Sequence, residues 1–297
     1  MALMSYSSLK LIQNCQQKYV HHKILETPSD SDYTPSDALD VGTIFHRIME
    51  ISHHGTKGTL EAAFNKAVEE TPCPEGWWQK LHAMIRAYAL THKFSGLMVT
   101  ALELEIQDGE YIGYVDAIMS EPSGNWWIVD LKTTSRFEDH LLTSLPYDLQ
   151  MAAYSSRYLK IAQMLTLDPN KFKGCRYRTV TKPGPYKMGK NEDEQSFIDR
   201  MMNNITCTDI EIPKATLALM WEEYVQMENE AISKALAFAK GSKENPQSVP
   251  LKNRNACIEW GKPCQFWSKC HHGVEFSNSK KLTYRDGFSY RSEGEIL

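Results

Sequence analysis

Apolar residues recur along the chain with two different periods. Near the start, Leu9, Ile12, Cys15 and Tyr19 fall close to one helical face, and Ser5 or Ser7 stands where a cap belongs, so a helix is predicted to about Leu25. Thr27 to Asp40 is a polar loop bearing Pro and Ser, and a second helix starts near Leu39 and carries His46. Helical patterns follow over about Leu60 to Glu70 and Trp77 to Thr91, split by Pro72-Cys73-Pro74-Glu75-Gly76. The period then shortens. Val99 to Gln107, Tyr111 to Met119 and Trp126 to Thr133 read as a strand meander, joined by Asp108-Gly109 and by Glu121-Pro122-Ser123-Gly124. Ser144-Leu145-Pro146 opens a helix to about Met164, Gly174 to Thr181 is again a strand, and Glu192 to Asn203 is a short helix. Lys214 to Lys240 is a long amphipathic helix with Leu217, Met220, Trp221, Tyr224, Met227 and Ile232 on its apolar side. A polar tail follows His272.

Strand geometry turns this pattern into candidate chemistry. Side chains alternate faces, so Asp130 and Lys132 share one face and Leu131 points the other way. With Asp108-Gly109 as a two-residue turn, Gln107 faces Glu110, Tyr114 faces Glu103 and Asp116 faces Ala101. That register gathers Glu103, Glu105 and Asp116 on one face, and Leu102, Leu104 and Val115 on the other. Carboxylates gathered in this way repel unless a cation or Lys132 stands among them. Taken alone, an Asp-x-Lys step is an ordinary ion pair, and His46 is an ordinary core histidine.

Composition narrows the choice. The chain has 297 residues, 42% hydrophobic and 24% charged, which is a globular composition. A net charge of −4 gives no overall attraction to nucleic acid, which leaves local patches. Residues 171–190 hold seven basic side chains and no acid, interleaved with Phe172, Tyr177 and Tyr186. Such a stretch suits a single-stranded path through phosphate contact and base stacking, with a solvated loop as the plainer reading. Gly184 to Asn191 falls short of a phosphate-binding loop because it lacks the Ser or Thr that holds Mg²⁺, so no motor is expected. No apolar run reaches the roughly 20 residues of a membrane span, and Met1 to Lys10 lacks a signal pattern, so a soluble cytoplasmic protein is expected. Seven cysteines argue against a disulfide scaffold, and Cys257, Cys264 and Cys270 fall within fourteen residues. Cys73, Cys175 and Cys207 have no partner at motif spacing.

Four motifs in order carry a resemblance. Gly113-Tyr114-Val115-Asp116 precedes Asp130-Leu131-Lys132 by fourteen residues, Asp to Asp, and this pairing resembles the signature of PD-(D/E)xK nucleases in their RecB-like form. Gly42-Thr43-Ile44-Phe45-His46 is similar to the helix that supplies the family's metal-binding histidine, and Gln150-Met151-Ala152-Ala153-Tyr154 to its Q-x-x-x-Y helix. The resemblance covers about residues 4–160 and 255–272. It implies an α/β fold, a mixed central β-sheet flanked by helices like the restriction-endonuclease core, with a helical cap and a C-terminal cysteine-bound segment. The domain would span 1–272, with a helical insertion at about 50–95 and a polar tail at 273–297.

The same resemblance assigns roles. His46, Asp116, Asp130 and the Leu131 carbonyl would hold Mg²⁺ or Mn²⁺, and Lys132 would orient the attacking water or stabilise charge on the phosphorane. Gln150 and Tyr154 would border the active site and contact DNA. Glu103 joins the set from the register argument, as a ligand or as an acceptor for Lys132. Cys15, Cys257, Cys264 and Cys270 resemble the iron–sulfur subgroup, which includes AddB-type and CRISPR-associated nucleases, and would hold a [4Fe–4S] cluster. A structural Zn²⁺, with His271 or His272 replacing one thiolate, is the alternative. The function implied is a metal-dependent deoxyribonuclease, an exonuclease at single-stranded DNA ends in recombination, repair or replication, with proteins of those pathways as partners. The rivals are a structure-specific endonuclease and a silent DNA-binding module. The intact Asp116, Asp130 and Lys132 argue against the silent module. Strand polarity and oligomeric state are not legible.

Overall fold

The computed structural model describes residues 4–26, 37–53, 60–94, 96–134, 145–184, 187–244, 253, 258–259, 262–266 and 270. The chain divides into a terminal unit, Met1–Thr34 with Met227–Leu297, and a central unit, Pro35–Gln226. In the terminal unit, α1 (Tyr6–Asn14) begins where the Ser5 hydroxyl accepts the Ser8 amide at 3.1 Å, as its capping signal predicts. It buries Leu9 and Ile12 and stops at Cys15, whose backbone is extended. The helix expected to reach Leu25 is therefore broken, and continues as α2 (Gln16–Tyr19) and a π-helical turn, Val20–Ile24.

The central unit opens with α3 (Asp37–His53), α4 (Leu60–Glu70) and α5 (Trp78–Phe94). The sheet follows as β1 (Met98–Asp108), β2 (Tyr111–Ser120) and β3 (Trp126–Thr134). Then come α6 (Leu149–Ser155), α7 (Tyr158–Leu165), β4 (Phe172–Thr181), α8 (Glu194–Met202) and β5 (Cys207–Pro213). The long α9 (Lys214–Glu244) leads out of the unit, and the short β6 (Ile258–Glu259) and β7 (Lys262–Pro263) pair in the terminal one. The five strands of the central sheet lie in the order β1-β2-β3-β4-β5, antiparallel throughout except for the parallel pair β3 and β4.

The middle position of β3 follows from its sequence. Trp126 to Leu131 are all buried, which suits a strand covered on both faces. On one face, Ala117, Met119, Trp127, Val129 and Leu131 pack with Val41, Ile44 and Phe45 of α3, Phe64 of α4, and Met84 and Tyr88 of α5. The helices expected as an insertion thus share the apolar layer of α3. On the other face, Ile118, Trp126, Ile128 and Tyr177 meet Met151 of α6, Ile161 of α7 and Leu217 of α9. The sheet is mixed and flanked by helices, as the sequence predicts.

Three details depart from the expectation. The β1–β2 turn is Gly109-Glu110, because Asp108 pairs with Tyr111 and Gly109 takes a positive φ of 58° that a side chain would resist. The register therefore shifts by two, with Glu105 opposite Tyr114. Leu102 and Leu104 enter the cores of opposite faces, since Glu103 between them has a left-handed φ of 44° that interrupts the alternation. The helix predicted from Ser144, itself outside the described residues, to Met164 breaks at Arg157. There the guanidinium turns inward, donating to the Ala153 carbonyl at 3.0 Å and lying 3.6 Å from the Tyr111 ring centre.

Candidate metal centre and catalytic site

The candidate site lies where β2 and β3 part. Their pairing runs from Ser120↔Trp126 to Ala117↔Val129. One step further, the Asp116 Oδ2 accepts the Leu131 amide at 2.7 Å, so a carboxylate takes over from the ladder. Gly113, three residues before it, lies under Tyr111, whose side chain would collide with a Cβ there. Across the hairpin, the left-handed backbone of Glu103 sets its carboxylate toward Asp116. From the helical layer, α3 approaches β3 closely at Gly42, where a Cβ would already touch the Thr133 hydroxyl. One turn on, His46 Nδ1 stands 3.5 Å from Asp116 Oδ2. His46, Glu103 and Asp116 each offer a ligand atom, and these atoms lie within 4.8 Å of one another.

Asp130 and Lys132 form the second half of the site. Asp130 is 1% exposed. Its Oδ1 accepts from Gln150 Nε2 at 2.9 Å, and its Oδ2 lies 2.8 Å from Lys132 Nζ in an ion pair. Lys132 Nζ donates to Gln150 Oε1 at 3.0 Å. The Gln150 amide nitrogen also reaches the Tyr154 hydroxyl at 3.1 Å, one helical turn along the same face. Asp130 is not one of the three groups that converge within 4.8 Å; it stands beside them, tied to Gln150 and Lys132.

The electrostatics follow from burial. Asp116 is raised to about 6 by burial, against the opposing Leu131 amide and Lys132. Asp130 is raised to about 7 by burial and by the Asp116 carboxylate, with Lys132 opposing. Burial, Asp116 and Glu50 lift Glu103 to about 7. Burial lowers His46, while the Asp130 carboxylate and a backbone contact with Leu131 work the other way. For Lys132, burial would favour the neutral amine, but Asp130, Asp116 and Asp148 outweigh it and raise its pKa. Two carboxyls and an imidazole converge here, and a third carboxyl, Asp130, stands beside them paired with Lys132. A hard divalent cation fits this oxygen-rich donor set, and the imidazole shifts the preference toward Mn²⁺.

Other expected features fare differently. The basic stretch after Lys171 is no open path over its first half. Phe172 and Tyr177 are buried in the sheet, Arg178 is fully buried on Asp209, and Arg176 pairs with Asp209 and Glu211. Alternation along a central strand explains this, since β4 is covered on both faces. Lys182 is half-buried, Lys187 and Lys190 are exposed, and Tyr186 lies outside the described residues. Cys15 is buried, while Cys264 and Cys270 are half-buried. Cys257, His271, His272 and the tail 273–297 lie outside the described residues. Among those described, Cys15, Cys264 and Cys270 do not converge within 4.8 Å as a set of three. Two contacts nevertheless join their segments: Asn253 donates to the Asn14 carbonyl at 2.8 Å, and Phe266 stacks on His21 with centroids 5.4 Å apart. Sequence reasoning missed Asp148, which caps α6 by accepting the Gln150 amide at 2.9 Å. An Asp two residues before a helical Gln was the available signal.

A mixed sheet splays beside Asp116, and Asp130 and Lys132 stand two residues apart on the next strand. The chain belongs to the PD-(D/E)XK nuclease superfamily, whose family model matches residues 3–270. Among solved structures it is similar to a phage-related exonuclease from Haemophilus somnus 129PT, at 15% identity over 76% of this chain and 93% of that one, with a TM-score of 0.29. A second similar structure, SSO0001, is 14% identical over 74% of this chain and 84% of that one, with a TM-score of 0.21. No curated protein matches the chain.

Proposed function

We propose that the protein is a metal-dependent deoxyribonuclease that works as an exonuclease at single-stranded ends. The observation that carries the nuclease reading is the convergence of His46, Glu103 and Asp116 beside the Asp130–Lys132 pair. The exonuclease reading rests on the RecB-like order of the motifs, ending in Gln150 and Tyr154.

His46, Glu103 and Asp116 would hold the cation, with Asp130 and the Leu131 carbonyl completing its surroundings. When bound, a hard divalent cation supplies Lewis-acid polarisation of a phosphoryl oxygen. The protein's own groups do the remaining work. Lys132 keeps its proton, so its ammonium stabilises charge on the phosphoryl group as the transition state forms. Gln150 fixes that ammonium and Asp130 at once, which keeps their geometry ready before substrate arrives. The test is cleavage by Asp116→Ala, Asp130→Ala and Lys132→Ala variants. Each is expected to lose at least ~100-fold in activity, as removal of one transition-state group does, while staying folded and binding DNA. Full activity in Asp130→Ala would sink the reading.

A second centre is part of the proposal: a [4Fe–4S] cluster on Cys15, Cys257, Cys264 and Cys270. The contacts Asn253–Asn14 and Phe266–His21 support it by bringing the two cysteine-bearing segments together.

A further inference from the structure

The group that sets the catalytic lysine lies outside the family-like motifs. Asp148 occupies the cap of α6, where its Oδ1 accepts the Gln150 amide at 2.9 Å. That bond fixes the backbone of Gln150, whose side chain bridges Lys132 and Asp130 through Lys132 Nζ–Gln150 Oε1 at 3.0 Å and Gln150 Nε2–Asp130 Oδ1 at 2.9 Å. Helix α6 is only seven residues long and breaks at Arg157, so it has little propensity of its own to hold Gln150 in place. Beneath it, Tyr177 is fully buried on β4, directly opposite Asp130 in the β3–β4 register. Its ring centre lies 5.8 Å from Lys132 Nζ. Burial and the nearby Asp148 carboxylate keep the Tyr177 phenol protonated, and the same carboxylate favours the ammonium form of Lys132.

We propose that Asp148 is a positioning residue: it locks the start of α6 so that Gln150 holds Lys132 and Asp130 in their reactive arrangement. The inference rests on the nuclease reading of the site, and it predicts an effect on turnover rather than on substrate binding. Asp148 is not one of the converging groups His46, Glu103 and Asp116.

The experiment compares Asp148→Ala, Asp148→Asn, Gln150→Ala and the double variant Asp148→Ala/Gln150→Ala, with wild type and Asp130→Ala as controls. All are assayed on end-labelled single-stranded DNA with Mg²⁺, well below their thermal midpoints. Asparagine is as good a helix cap as aspartate, so Asp148→Asn should restore most of the turnover that Asp148→Ala loses. Asp148→Ala should lower kcat about tenfold or more with KM little changed, and should add nothing further in the Gln150→Ala background. A merely structural cap would lower the thermal midpoint and leave kcat intact. A wild-type kcat in Asp148→Ala, with Asp130→Ala inactive, overturns this inference alone. An inactive wild type would overturn the nuclease reading instead. In that event a crystal structure of Asp148→Ala still decides. The Lys132–Gln150 and Gln150–Asp130 contacts should be lost, and their retention would refute the positioning role.

Discussion

Asp116 and Asp130 show what a single carboxyl reports when it is buried beside another. Their folded pKa values, about 6 and about 7, lie above the ~4 of an unfolded carboxyl. The folded state therefore binds protons that the unfolded state releases. Their contribution to stability is fully present below about pH 4 and is lost as pH rises through 6 to 7. Glu103 acts in the same direction, while His46, lowered by burial, acts in the opposite one. His22 and His82, also lowered by burial, act with His46, but the three carboxyls are displaced further, so the metal-free protein should lose stability between pH 4 and 7, and saturating Mn²⁺ should reverse that slope. Thermal midpoints across this range, with and without Mn²⁺, check it, and a metal-free midpoint that rises with pH would contradict it. Asp116→Asn should raise the metal-free midpoint, by ~2–4 °C for each ~1 kcal/mol of repulsion removed. His46→Ala should weaken Mn²⁺ activation without abolishing cleavage, because water can replace one ligand of several. An unchanged Mn²⁺ midpoint would return His46 to the core.

At the scale of elements, the break between α6 and α7 makes a separate prediction. Arg157 lies against Tyr111, donates to the Ala153 carbonyl and pairs with Asp108 at 3.3 Å. Arg157→Met should therefore destabilise the protein by about 2 kcal/mol, discounted because Asp108 is half-exposed. Chemical denaturation measures this, and an unchanged midpoint would refute it. The inward Arg157 also shows why the sequence pattern failed there: a helical period runs through residues 145–164, and nothing local marks a guanidinium that turns to a distant strand. Similarly, β5 went unrecognised because Cys207 to Pro213 is short, with Asp209 and Glu211 occupied by arginines of β4 rather than by solvent. The elements that were legible, β2 and β3 above all, carry their signal in long apolar runs. The Asp130–Lys132 pair on β3 was legible for the same reason, since a period of two fixes which residues share a face. The β1–β2 register was not, because both Asp108-Gly109 and Gly109-Glu110 fit a hairpin turn with a left-handed Gly109, and only the pairing of Asp108 with Tyr111 decides between them.

At the scale of the whole molecule, none of the helices searched among the described residues is long and apolar enough to cross a membrane. The two chain ends share one compact unit, and the sheet and its site occupy the other. A cluster on the four cysteines would tie the chain ends together. The protein purified without air should then hold about four irons per chain and lose thermal stability when Cys15 is replaced by Ser. One zinc and no iron would substitute a structural-zinc site. The central claim, that the Asp116–Asp130–Lys132 constellation cleaves DNA with a divalent cation, is tested most directly by one assay. Wild type and Asp130→Ala are incubated with end-labelled linear and circular single-stranded DNA in Mg²⁺, Mn²⁺ or EDTA. Wild type should degrade the linear strand with either metal, spare the circle and do nothing in EDTA, and Asp130→Ala should leave both intact. Undiminished cleavage by Asp130→Ala, or cleavage that persists in EDTA, would contradict the account.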